Sequence, residues 1–134
     1  MDIVLALHSL VRWVIVLVAV IAIVKFALGW LRRAAGDGMD RGLMAGFTGL
    51  MDLQALLGLV VLVGGGLTGI GFPFFRIEHA VTMIVAVAVA HLPMRWRSAA
   101  GPMRARNNLL AILVSLALVV VGVAGLPQGW FGGK

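Results

Sequence analysis

The chain predicts an all-α integral membrane protein, a single domain over residues 1–134 folded as an up-down bundle of four transmembrane helices. Three observations lead there. The composition is 62% hydrophobic and only 12% charged over 134 residues, too little polar material to coat a soluble core. Hydropathy separates four apolar stretches, each near the ~20 residues that cross the hydrocarbon of a bilayer. The basic residues gather in two of the connections between these stretches, which is a topology pattern and not a surface for nucleic acid. Backbone in lipid must satisfy its own hydrogen bonds, so every stretch is expected to be a helix.

The first helix is expected over residues 3–31. It opens Met-Asp with no basic flank, and no small-residue cleavage pattern follows, so it reads as a lasting span and not a signal peptide. The second, residues 43–67, runs into Gly64, Gly65 and Gly66, the start of a turn that reaches Phe75. That run lacks the basic residue of a phosphate-cradling loop and reads as a helix exit. The third, residues 75–94, is short; it takes Phe72 to Phe75 as an interfacial entry and is closed by Pro93. The fourth, residues 106–126, is expected to start at Asn107 and Asn108, where an asparagine can cap free amides.

Orientation follows from charge. Arg32, Arg33, Arg41, Arg95, Arg97, Arg104 and Arg106 fall on one side, against Arg76 and Lys134 on the other, where Asp2 and Glu78 offset them. The richer side is expected in the cytoplasm, leaving both termini on the outer side of a bacterial inner membrane. Trp30, Trp96 and Trp130 fall at the expected interfaces, whereas Trp13 lies deeper and that belt does not explain it. With no cysteine, disulfides, iron–sulfur ligation and thioether-linked haem are excluded. The methionines are scattered and read as packing residues.

Ionisable and polar groups inside a membrane are costly and tend to face the bundle. Here they are His8, Arg12, Asp52, Gln54, Glu78, His79 and His91, with Lys25 able to snorkel. His8 falls roughly 8 Å inside the outer end of helix 1, and His79 roughly 4 to 8 Å inside that of helix 3. Helices 1 and 3 take diagonal corners of an up-down bundle, so two imidazoles at equal depth face one another across it. That is a minimal b-type site for one haem, with His8 and His79 as iron ligands. Gly65 and Gly122 would give the flat ring room on the flanking helices, and Arg12 and Arg76 would hold its propionates. The competing reading is structural: histidines as hydrogen-bonded packing residues, terminal glycines as helix stops, Arg12 paired with Glu78 or Asp52.

His91 lies about 18 Å deeper than His79 and is rotated ~120° from it, so the two cannot share a ligand. Asp52, Gln54 and His91 suit either a proton relay or quinone pocket, or plain interhelical hydrogen bonds. Asp52 and Gln54 point ~200° apart on their helix and are not expected to share a pocket. Gly42-x-x-x-Gly46 permits close helix approach, within the bundle or to a second copy in a homo-oligomer.

At His8-Ser9-x-x-Arg12-Trp13, Gln54-x-x-x-Gly58 and Glu78-His79 the chain resembles a family of small bacterial four-helix membrane proteins labelled cytochrome b-like. The similarity spans most of the chain. It implies haem ligation by His8 and His79, while Asp52 stands where the family often carries a histidine. The expectation is therefore a b-type cytochrome, an electron carrier or subunit and not a stand-alone enzyme. One haem in one leaflet cannot carry electrons across a ~30 Å core, so its partners at the outer face would be quinol or a larger membrane complex. The alternative is a cofactor-free accessory subunit of such a complex. A transporter or proton channel would need a continuous polar path, which the apolar middles of helices 3 and 4 do not offer.

Overall fold

The computed structural model describes residues 2–33, 38–96 and 98–130. Arg97 and Lys134, which entered the charge comparison, lie outside the described residues. Helix α1 spans Asp2–Leu31, α2 Gly38–Gly65, α3 Phe74–His91 and α4 Gly101–Ala124. A π-helical turn, Gly66–Ile70, follows α2, and a 3₁₀ turn, Leu92–Trp96, follows α3. The four helices are long and apolar enough to cross a membrane.

Two helices start earlier than hydropathy suggests. α2 begins at Gly38 instead of residue 43, and α4 at Gly101 instead of residue 106. Hydropathy marks the part of a helix that lipid covers, whereas the hydrogen-bond ladder runs on into polar sequence. Asn107 and Asn108 are therefore interior to α4 and do not cap it. Pro102 in the first turn is the start signal, because its fixed φ suits a helix and its missing N–H has no partner to lose. At the other ends, α2 stops at Gly65 instead of 67, α3 at His91 instead of 94, and α4 at Ala124 instead of 126. Beyond Gly65 the chain leaves the helix through Gly69 (φ 109°) and Gly71 (φ 75°), conformations that favour glycine. Pro73 is extended (ψ 154°) and α3 starts directly after it. Pro93 cannot continue the α ladder, and the chain tightens there into the 3₁₀ turn.

Cross-helix contacts set the directions. Lys25 pairs with Asp40 at 2.9 Å while the Gln54 amide reaches the His8 carbonyl, so α1 and α2 are antiparallel. Asp52 meets His91 and Arg76 meets Val61, which makes α2 and α3 antiparallel as well. Ser115 donates to the Ala86 carbonyl at 2.8 Å and His79 bonds the Gly122 carbonyl, which orients α4 against α3. α1 packs on α2 and α4, and α3 packs on the same two helices, so α1 and α3 stand across the bundle from each other.

The core is lopsided. Its tightest part lies toward the end that carries the α1–α2 and α3–α4 connections, called here the basic end. Ala19, Ala22, Ala86 and Ala90 are fully buried there, with Phe26 and Phe47 filling the space between backbones. Small residues allow close approach, and helix association in lipid depends on such packing. Large side chains such as Leu10, Leu17, Val20, Leu56 and Val121 point outward, fully in keeping with a lipid solvent.

Candidate functional site

Toward the opposite end the helices diverge around a cavity of about 640 Å³. α1 contributes His8, Ser9 and Arg12 to its wall, α2 contributes Gln54, Gly58 and Gly65, and α3 contributes Arg76 and His79. Its deep floor is apolar, made by Ile15, Met51, Val87 and Val119. Four of the six residues singled out for a cofactor, His8, Arg12, Arg76 and His79, thus line one space, brought there from the two diagonal helices. Gly65 also lies on the wall, while Gly122 does not.

His79 is held from behind. Its Nδ1 lies 3.0 Å from the Gly122 carbonyl oxygen. A carbonyl only accepts, so Nδ1 carries the hydrogen and Nε2 of the neutral ring keeps the lone pair. This is the arrangement that orients a ligating imidazole, a second partner fixing the tautomer from the far side. Gly122 contributes that oxygen, and the absence of its side chain makes room for Met83, whose Cε would lie within 2.2 Å of an added Cβ. Its smallness therefore serves α3–α4 packing, and the open slot lies on the other side of His79.

His8 is placed by α2. Gln54 Nε2 donates to the His8 carbonyl at 2.8 Å. One turn on, Gly58 passes beneath the ring: a Cβ there would sit 3.1 Å from His8 Cε1. Gln54 and Gly58 thus form an i, i+4 cradle for one imidazole, although sequence reasoning gave neither a place in the site. The motif Gln54-x-x-x-Gly58 was visible in the sequence; what it touches was not.

The two arginines differ. Arg76 Nη2 donates to the Val61 carbonyl at 3.0 Å, and Gly65 leaves space for its guanidinium, 2.8 Å from where a Cβ would stand. Arg12 pairs with neither Glu78 nor Asp52. Its guanidinium carbon lies 5.5 Å from the Trp13 ring and 5.3 Å from the Trp130 ring, and these indoles meet edge to face at 5.4 Å. Cation–π contact stabilises the charge in place of a carboxylate and leaves its anion-binding capacity free. This also accounts for Trp13, too deep for the interfacial belt. Trp130 folds back to reach it, donating from Nε1 to the Val120 carbonyl at 3.1 Å.

Three buried polar atoms on this wall have no hydrogen-bond partner among the described residues: His8 Nδ1, Arg12 Nε and Gln54 Oε1. Such atoms are rare in folded proteins because each forfeits its solvation. All three belong to side chains that line the cavity, but the atoms themselves are packed away from it as well as from solvent. The remaining intramembrane groups lie elsewhere. Asp52 Oδ1 and His91 Nε2 meet at 2.9 Å across the α2–α3 seam, and neither lines the cavity. Gln54 and Asp52 face different surroundings, in keeping with their separation around α2. No group of three potential metal-ligating side chains occurs among the described residues. No family model, curated protein or solved structure matches the chain.

Proposed function

We propose that this protein is a membrane-embedded b-type haem protein that takes part in electron transfer. The observation that carries the reading is the cavity wall, on which two histidines from diagonal helices line a common space together with Arg12 and Arg76. The residues fit the group. His79, its Nδ1 satisfied by Gly122, offers Nε2 as a lone-pair donor, and His8, braced on Gly58, supplies the second imidazole. Arg12 and Arg76 are placed to receive carboxylates as charge-assisted partners. The apolar floor excludes water and lowers the local polarity, which tunes the potential of any iron held above it. Haem b, when bound, supplies a one-electron Fe(III)/Fe(II) couple.

The basic residues of the connections favour a cytoplasmic placement of the basic end, which puts the cavity in the outer leaflet of a bacterial inner membrane. Quinol or a larger membrane complex is the redox partner suited to that position. A second reading has its own observation: Ser9, Arg12 and Gln54 bring hydroxyl, guanidinium and amide groups to the cavity wall, which suit the ring oxygens of a quinone or hydroquinone bound without haem.

The test is a dithionite-reduced minus oxidised visible spectrum of detergent-purified protein expressed with ample haem. Sharp bands of six-coordinate b haem are expected, and both His8→Ala and His79→Ala should lose them. A colourless, folded wild type would sink the haem reading, leaving the quinone site and the cofactor-free accessory subunit.

A further inference from the structure

The four seams between neighbouring helices are not closed alike. Around the cavity, the wall residues of α1 and α4 below the mouth are buried or half-buried, among them Ile15, Val119 and Val123. On the α2–α3 side, below the mouth, two wall residues are open to the outside. Leu59 is 45% exposed and Ile84 55% exposed, although both line the cavity. One turn from each stands a small wall residue, Ala55 on α2 and Ala80 on α3. The pairings of Arg76 with Val61 and of Asp52 with His91 place Leu59 and Ile84 at similar heights, between those two contacts.

Between these two contacts the seam is apolar, and in a bilayer this matters. Moving Leu59 or Ile84 aside costs little in lipid, because acyl chains replace any apolar contacts they lose. Backbone there stays helical, so opening exposes no unsatisfied amide. The cavity also matches a membrane-dissolved occupant, with polar groups at His8, Arg12 and Gln54 above an apolar floor. A water-soluble solute would instead use the mouth near Asp2, Thr68 and Gln128.

We propose that the cavity is loaded sideways from the bilayer, through the α2–α3 seam between the Arg76–Val61 and Asp52–His91 contacts, by an amphiphile with an acidic or hydrogen-bonding head and an apolar body. This rests on the cavity being a ligand site, whatever its occupant. The two polar contacts hold the helices in register at either end, and Leu59 and Ile84 form the yielding gate.

The chain has no cysteine, so a Leu59→Cys/Ile84→Cys variant can be folded first and closed afterwards with a bifunctional methanethiosulfonate reagent. The probe is a small apolar diazirine dissolved in phosphatidylcholine nanodiscs, photolysed and mapped by mass spectrometry. Val119 and Val123, 6% and 4% exposed, lie on the far wall. Both should be labelled in the wild type and in the open variant, fall to background when the seam is bridged, and recover on reduction. Labelling that persists through the bridge, or that never reaches these valines in the wild type, would overturn the proposal. Haemin uptake from vesicles, followed in the same samples, separates the two readings. Loss of labelling on bridging with no haemin uptake in any form leaves the gate and removes the haem. Uptake equally fast with the seam open or bridged, with labelling unchanged, leaves the haem and removes the gate.

Discussion

The two ends of this bundle are built from the same four helices and solve opposite problems. At the basic end, alanines at Ala19, Ala22, Ala86 and Ala90 bring backbones together and Phe26 and Phe47 fill what remains. Polar groups there are answered: Lys25 by Asp40, Ser115 by the Ala86 carbonyl, His91 by Asp52. At the cavity end, His8, Arg12, Arg76 and His79 line a space of about 640 Å³, and three polar atoms go without a partner. Membrane helices associate through close packing and interhelical hydrogen bonds, since lipid removes the hydrophobic drive between them. One end uses both for stability; the other gives up packing around a cavity.

The sharpest way to break this comparison is to remove one of the two proposed haem ligands at the open end. His8→Ala or His79→Ala should abolish haem binding with helix content unchanged by circular dichroism, because neither imidazole belongs to the packed end. Phe47→Ala should do the reverse. It leaves a hole at the closed end and should cost about 3 kcal/mol, the low edge of the range for deleting a buried phenylalanine, in reversible unfolding in mixed micelles. Bound haem per folded molecule should stay at the wild-type value.

Gly58→Ala probes the cradle. The new methyl meets His8 Cε1 at 3.1 Å, so the ring must shift by a few tenths of an ångström. Haemin affinity should fall on the order of tenfold, about 1.4 kcal/mol, by equilibrium titration. Unchanged affinity would show that α2 does not set the imidazole's position. Smallest is Ser115→Ala. It deletes one interhelical hydrogen bond at the packed end, a contact worth about 0.6 kcal/mol in membrane bundles. Any change in the haem spectrum would mean that the two ends are coupled.

How much of this was legible in the sequence depends on range. Helix count and the similar depth expected for His8 and His79 follow from rise per residue and alternating direction, both local rules, whereas the diagonal placement of α1 and α3 is settled by which helices pack together. Helix starts were missed where Gly38 to Arg41 and Gly101 to Arg106 are polar or small, because hydropathy reports lipid contact and not helicity. Pro102 carried the correct signal for α4. The roles of Gln54 and Gly58, and of Trp130 beneath Arg12, depend on contacts between residues far apart in the chain, which no periodicity encodes. Gly122 illustrates the limit well: its position beside His79 could be estimated, but not that its carbonyl would hold the imidazole while its missing side chain admits Met83.

The central claim is that the cavity end is a two-histidine ligand site, and haemin titration of the apoprotein in nanodiscs tests it most directly. The wild type should bind one haemin per chain with the spectrum of low-spin, six-coordinate ferric haem, and a His8→Ala/His79→Ala double variant should bind none that is six-coordinate. Equal binding by both proteins, or a wild type that leaves the haemin spectrum unchanged, would contradict it.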